Sequence, residues 1–155
     1  MVERAYIRDI AALTALRLEF LQEDCGELSG EVISKLTEAL PTYFEKNLNR
    51  SIFCYLIRET EEVVACAFLL IVEKPANPKF ITGRTGTVFN VYTKPRCRKK
   101  GYAKAIMETL LQDAVEMDLS FVALESTDAG YNLYKSIGFR DVAASKYHPM
   151  KWYNV

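Results

Sequence analysis

The chain has one histidine and one tryptophan in 155 residues. The lone imidazole, His148, stands apart from any cysteine pair. The four cysteines, Cys25, Cys54, Cys66 and Cys97, form no CxxC motif, so no metal site is expected. Net charge is missing too: Lys plus Arg and Asp plus Glu number 20 each. A neutral chain has no global reason to seek nucleic acid or a membrane surface. No apolar run reaches the roughly 18 residues of a membrane span. The opening "MVERAYIRDI" lacks the apolar core of a signal peptide. Cys54 and Cys66 lie in apolar runs and read as reduced core thiols. A soluble, cytoplasmic protein is therefore expected. Repeats, low-complexity segments and long linkers are also absent, and the length suits a single domain, 1–155.

What is present is a succession of alternating patterns. "RAYIRD" suits a short strand, and Asp9 suits the N-cap of a following helix. Ile10, Leu13, Leu16, Phe20 and Leu21 recur near helical spacing. A second helical stretch runs from about Glu31 to Asn49, with Pro41 kinking or dividing it. "SIFCYLIRE" and "EVVACAFLLIVEK" read as strands joined by the polar "TEE", a hairpin. "KPANPKFITGRTG" is a loop and "TVFNVYT" a strand. Ala103, Ile106, Met107, Leu110, Leu111, Ala114 and Val115 form one apolar helical face. "SFVAL" reads as a buried strand and "DAGYNLYKSI" as a short helix stopped by Gly138. "FRDVAASKYHPMKWYNV" is expected to supply one or two closing strands. The order β-α-α-β-β-β-α-β-α-β predicts an α/β layered domain.

One stretch stands out, "TKPRCRKKGYAKAIMETLL". Six of the eleven residues from Lys94 to Lys104 are basic and none is acidic. The stretch joins a strand to a helix through Gly101. The first turn of a helix leaves about four amides without partners and carries roughly half a positive charge. Glycine admits close approach of an anion, and Arg98, Lys99, Lys100 and Lys104 add charge at the rim. A strand, a glycine turn and a helix together make a phosphate-binding device. The stretch is neither a GxxxxGK[ST] loop nor a GxGxxG turn. The bland alternative is a solvated basic connector.

Arg98-Lys99-Lys100-Gly101-Tyr102-Ala103 resembles the Q/R-x-x-G-x-G/A motif of the GNAT-type (GCN5-related) N-acetyltransferases. "DAGYNLYKSIGF", with Tyr134 four residues before Gly138, is similar to that family's late helix-to-strand segment. The resemblance covers about residues 87 to 142. It implies a central mixed sheet flanked by helices and acetyl-coenzyme A as cosubstrate, with no metal. The pyrophosphate would lie on the amides from Arg98 through Lys99, Lys100, Gly101 and Tyr102 to Ala103, with Lys104 close by. The pantetheine arm would pair with the backbone of Val91, Tyr92 and Thr93, and Asn132 would reach the same ligand. A strand bulge near Val91 or Tyr92 would free an amide for the oxyanion. The implied acceptor is a primary amine of a small molecule or peptide, and a homodimer stays open.

Tyr134 is the candidate general acid, since a phenol with a pKa of about 10 stays protonated beside a departing thiolate. Its bland alternative is a core tyrosine sharing a face with Gly130, Leu133 and Ile137. No base is evident from the residues; Glu125 is the candidate, directly or through water, and is equally suited to a salt bridge. Asp128 suits a helix N-cap better. Asn90 stands where many relatives carry a carboxylate base, and an amide cannot take that role. Glu19, Glu23, Asp24 and Glu27 read as a solvated face, or as attraction for a cationic amine. Cys97 reads as incidental and His148 as structural. The competing function is a non-catalytic coenzyme A-binding or protein-interaction module on the same fold.

Overall fold

Serine, glycine and buried apolar spacing account for most of the boundaries seen in a computed structural model that describes residues 1–154. Helix α1 (Ile10–Cys25) buries Ile10, Leu13 and Leu16. Helix α2 (Gly30–Asn47) begins at Ser29, whose Oγ accepts from the Val32 amide at 3.3 Å. Pro41 lies inside α2 without dividing it. The first strand sits upstream of its expected place. β1 is Val2–Arg4, and Ile7–Asp9 forms a 3-10 turn. Asp9 is the N-cap residue of α1, as expected, but its side chain makes no capping bond to that helix and turns back to the 3-10 turn. Its Oδ2 accepts from the Tyr6 amide at 2.8 Å, and its Oδ1 accepts from Arg58. A buried carboxylate needs both kinds of partner.

β2 (Ile52–Glu59) and β3 (Glu62–Glu73) form the expected antiparallel hairpin. β4 (Arg84–Thr93) adds antiparallel to β3, and β5 (Val122–Ala123) joins β4 in parallel. The sheet order is β1-β2-β3-β4-β5. A parallel step requires a crossover, and helix α3 (Tyr102–Glu116) supplies it. β3 is buried along almost its whole length, as a central strand covered on both faces must be. Leu13, Leu16 and Phe44 pack with Cys54, Leu56, Cys66 and Phe68. Strand residues of opposite parity meet α3, where Ile106, Met107 and Leu110 are buried. Tyr55 Oη donates to Asp113 of α3 at 2.8 Å, and Arg4 Nη2 joins it at 2.7 Å.

The stretch 120–124 is shorter and less buried as a strand than expected. Its pairing with β4 is confined to Gly86↔Val122 and Thr87↔Ala123. β4 therefore runs on from Val88 to Thr93 with no strand on that side among the described residues.

These elements form one compact unit, Met1–Glu125, and a second unit begins at Ser126. The second unit holds helix α4 (Asp128–Ser136). Thr127, not Asp128, is its N-cap, with Oγ1 accepting from the Gly130 amide at 3.3 Å. Gly138, at φ 103°, follows its end. The expected closing strand is not formed, because described residues 137–154 hold none. A strand is defined by its ladder and not by composition alone. Here the Asp141 carboxylate is tied back to Tyr131 and Lys135 of α4, each at 2.9 Å, and Pro149 has no amide to donate.

Among the described residues no helix is long and apolar enough to cross a membrane, and no cluster of His, Cys, Asp or Glu could hold a metal ion. All four cysteines are free, and only Cys25 is exposed.

Candidate functional site

An asparagine in the middle of a β-branched and aromatic strand is the local oddity of β4. It marks a β-bulge. Cys66 faces Tyr92, yet Phe68 faces Phe89, so one residue of β3 opposes both Asn90 and Val91. Asn90 adopts φ 53°, the left-handed region that asparagine tolerates better than most residues. The bulge expected near Val91 or Tyr92 is thus present, at Asn90 and Val91. The Asn90 side chain is buried. Its Nδ2 donates to Cys66 Sγ at 3.4 Å, and its Oδ1 accepts from Arg17 Nη1 of α1 at 3.0 Å. Burial pushes the Cys66 thiol up to about 12, so it stays neutral.

Beyond β4 the chain makes a 3-10 turn at Pro95–Cys97 and enters α3 through Gly101. Gly101 has φ 82°, and a Cβ there would meet nothing within 4 Å. The glycine serves a backbone conformation and an open approach. The amides of Tyr102, Ala103 and Lys104 have no acceptor among the described residues; the first helical bond is Ala105 N to Gly101 O, 3.0 Å. Three unpartnered amides and the positive end of a helix dipole therefore meet at the start of α3. β4's unpaired edge leads directly to them. The expected cofactor residues Val91, Tyr92, Thr93 and 98–104 are in this way brought together on one strand end and one helix start.

The charge at this site differs from expectation. Most of the basic side chains are already paired with carboxylates from α1 and the β2–β3 hairpin. Lys94 Nζ lies 3.2 Å from Glu19 and 2.8 Å from Glu62. Arg96 pairs with Glu62. Arg98 lies 2.6 Å from Glu23, donates through Nε to the Thr93 carbonyl at 2.9 Å and stacks on the Tyr92 ring. Glu59 accepts from Lys100 Nζ and from Tyr102 Oη, each at 2.7 Å. The Lys100 bond, then the Tyr102 bond, lower the Glu59 pKa to about 2. Lys104 reaches Glu108 at 3.8 Å along its own helix. Lys99, at φ 63°, makes no ion pair among the described residues. Glu19 and Glu23, read as a solvated face, are instead counterions of the turn. Nothing in their local spacing signals it, because each pairs 73 to 75 residues away.

Glu125 ends the first unit, exposed and two residues beyond β5. In the second unit, Asn132 is exposed on α4. Tyr134 is half-buried. Its ring meets Phe139 edge to face at 5.9 Å and covers Gly130, where a Cβ would lie 2.7 Å from Cε2. Burial raises the Tyr134 hydroxyl above its ordinary pKa. Arg17 is the residue that sequence reasoning missed. It occupies an otherwise apolar helical face, at the i+4 spacing from Leu13 that belongs to core residues, and that was its only signal.

The model of the acetyltransferase (GNAT) family matches residues 12–139. A predicted acetyltransferase of Clostridium acetobutylicum, solved with acetyl-CoA, superposes with a TM-score of 0.81 at 25% identity, over 97% of this chain and 95% of that one. A GCN5-related N-acetyltransferase of Ralstonia eutropha gives 0.79 at 20% identity, over 97% of each chain. No curated protein matches.

Proposed function

Because the chain belongs to the acetyltransferase (GNAT) family, we propose that it moves the acetyl group of acetyl-CoA directly to a primary amine of a small molecule or peptide. The observation that carries this reading is the unpaired edge of β4 from Val88 to Thr93 running into the free amides of Tyr102, Ala103 and Lys104. The pattern fits a long ligand with an amide-bearing arm at one end and a pyrophosphate at the other. Val91, Tyr92 and Thr93 would hold the arm. Residues 98–103 and Lys104 would hold the phosphates, with Asn132 reaching the ligand's polar groups.

When bound, acetyl-CoA supplies the activated acyl carbon. The chain's own residues do the rest. The bulge at Asn90 and Val91 leaves backbone polar groups outside the ladder, suited to a developing oxyanion. Tyr134 would keep a proton at Oη for the departing sulfur; its raised pKa supports that state at neutral pH. Alkyl amines have a pKa of about 10.4, so a base must take a proton, and exposed Glu125 would do so directly or through water. The family match spans both compact units, which supports reading 1–155 as one catalytic domain. Four free cysteines suit a reducing, cytoplasmic setting.

A second reading, a module that binds coenzyme A without catalysis, draws support from one observation. The strand position that would suit a carboxylate base holds Asn90, occupied by Arg17. Calorimetric titration with acetyl-CoA tests both. Micromolar binding is expected, lost in Gly101→Glu but largely kept in Gly101→Ala, which carries the same backbone strain without the charge. Thiol release on an amine screen then separates enzyme from binder. No binding by the folded wild type would overturn both.

A further inference from the structure

Arg17 projects from α1 onto the β4 bulge. Its Nη1 donates to Asn90 Oδ1 at 3.0 Å, and its guanidinium lies over the Phe20 and Phe89 rings, 5.6 Å from each centroid. It is half-buried, and burial lowers its pKa. Among the described residues it forms no ion pair. The contrast with its surroundings is sharp. Glu19 and Glu23, on the same helix, turn to Lys94 and Arg98. The cation nearest the bulge is thus left facing a neutral amide and two aromatic rings.

An uncompensated charge withdrawn from water is costly. A guanidinium has five N–H donors in a planar fork suited to a carboxylate or phosphate, and among the described residues only one of Arg17's is used. The aromatic rings fix the plane of that fork. We infer that Arg17 is the acceptor-binding residue of this protein and that the acceptor amine carries an anionic group, a carboxylate or a phosphate, which Arg17 grips beside the bulge. This rests on the transferase reading for the identity of the acceptor, but not for the existence of an anion site at Arg17. A merely structural arginine would stabilise the bulge and show no preference among ligands.

The test uses matched amines: phosphoethanolamine against ethanolamine, and alanine against alaninamide. Each is titrated calorimetrically into wild type, Arg17→Gln and Arg17→Lys, with and without coenzyme A. Each is then assayed for thiol release from acetyl-CoA. In wild type the anionic member of at least one pair should bind tenfold or more tightly than its neutral twin. The pair that responds distinguishes phosphate from carboxylate. Arg17→Gln should erase the preference, chiefly through KM, and Arg17→Lys should restore part of it. Equal binding within both pairs, or a preference that survives in Arg17→Gln, would overturn the inference. Should Arg17→Gln fail to fold, the wild-type preference and its partial retention in Arg17→Lys still decide. Arg17-dependent anion binding without acetyl-CoA binding would leave the anion site standing and remove the transferase reading. Transfer to neutral amines at a rate untouched in Arg17→Gln would do the reverse.

Discussion

Gly130 leaves the space that the Tyr134 ring fills. A methyl group there would lie 2.7 Å from ring carbon Cε2, so either the ring or the helix must move. Alanine is nevertheless the better helix former, by about 1 kcal/mol. Gly130→Ala should therefore cut kcat through the ring's position, leave acetyl-CoA affinity unchanged and raise or preserve the melting temperature. Tyr134→Phe should cut kcat further, by roughly 10²-fold or more. An unchanged kcat in both variants would remove Tyr134 from the chemistry. Tyr134 was legible because a tyrosine ahead of Gly138 and Phe139 stands in a recognisable order. The contact of Arg17 with Asn90 was not, because the two lie 73 positions apart.

At the scale of elements, the turn from Lys94 to Lys104 and helix α3 could be read directly. A glycine in left-handed conformation and an apolar stripe at helical spacing are local features. The carboxylates that close over the turn are tertiary features and left no trace in the local pattern. Glu59 shows their effect. Its folded pKa, about 2, lies below the ordinary value, so its pairing stabilises the fold at and above about pH 4.5 and is lost as pH falls toward 2. Urea denaturation of wild type and Glu59→Gln should differ at pH 6 and converge near pH 2. A constant difference would mean that the Lys100 and Tyr102 bonds to Glu59 do not persist in solution. Helix and hairpin boundaries were legible to within a few residues. The closing strand was not, because Val142, Tyr147, Trp152 and Tyr153 have strand-forming side chains but no ladder in the described residues.

For the whole molecule, the apolar runs around Cys54 and Cys66 pointed to reduced core thiols, and burial divides the four cysteines. Cys54, Cys66 and Cys97 are buried and Cys25 is exposed. Desolvation raises the Cys54 and Cys66 pKa values. Ellman's reagent should titrate one thiol in the native protein at pH 8 and four after unfolding. Rapid reaction of a second thiol would show that β2, β3 or the basic turn opens readily. Neutral overall charge was legible from composition, but its arrangement was not. Acid and base are matched across elements that lie far apart in the chain.

That matching has a kinetic consequence. Four glutamates from α1 and the hairpin, Glu19, Glu23, Glu59 and Glu62, pair with four of the turn's six cations, Lys94, Arg96, Arg98 and Lys100, and a fifth, Lys104, meets Glu108 of its own helix. The turn therefore casts little field into solvent, and an approaching anion is scarcely steered by it. On the proposed reading, arrival of a phosphate would be a short-range exchange in which carboxylates release their cations, and the association rate would depend only weakly on ionic strength. The same glutamates would remain tethered alongside as built-in competitors, and their return would speed the departure of a spent anionic ligand.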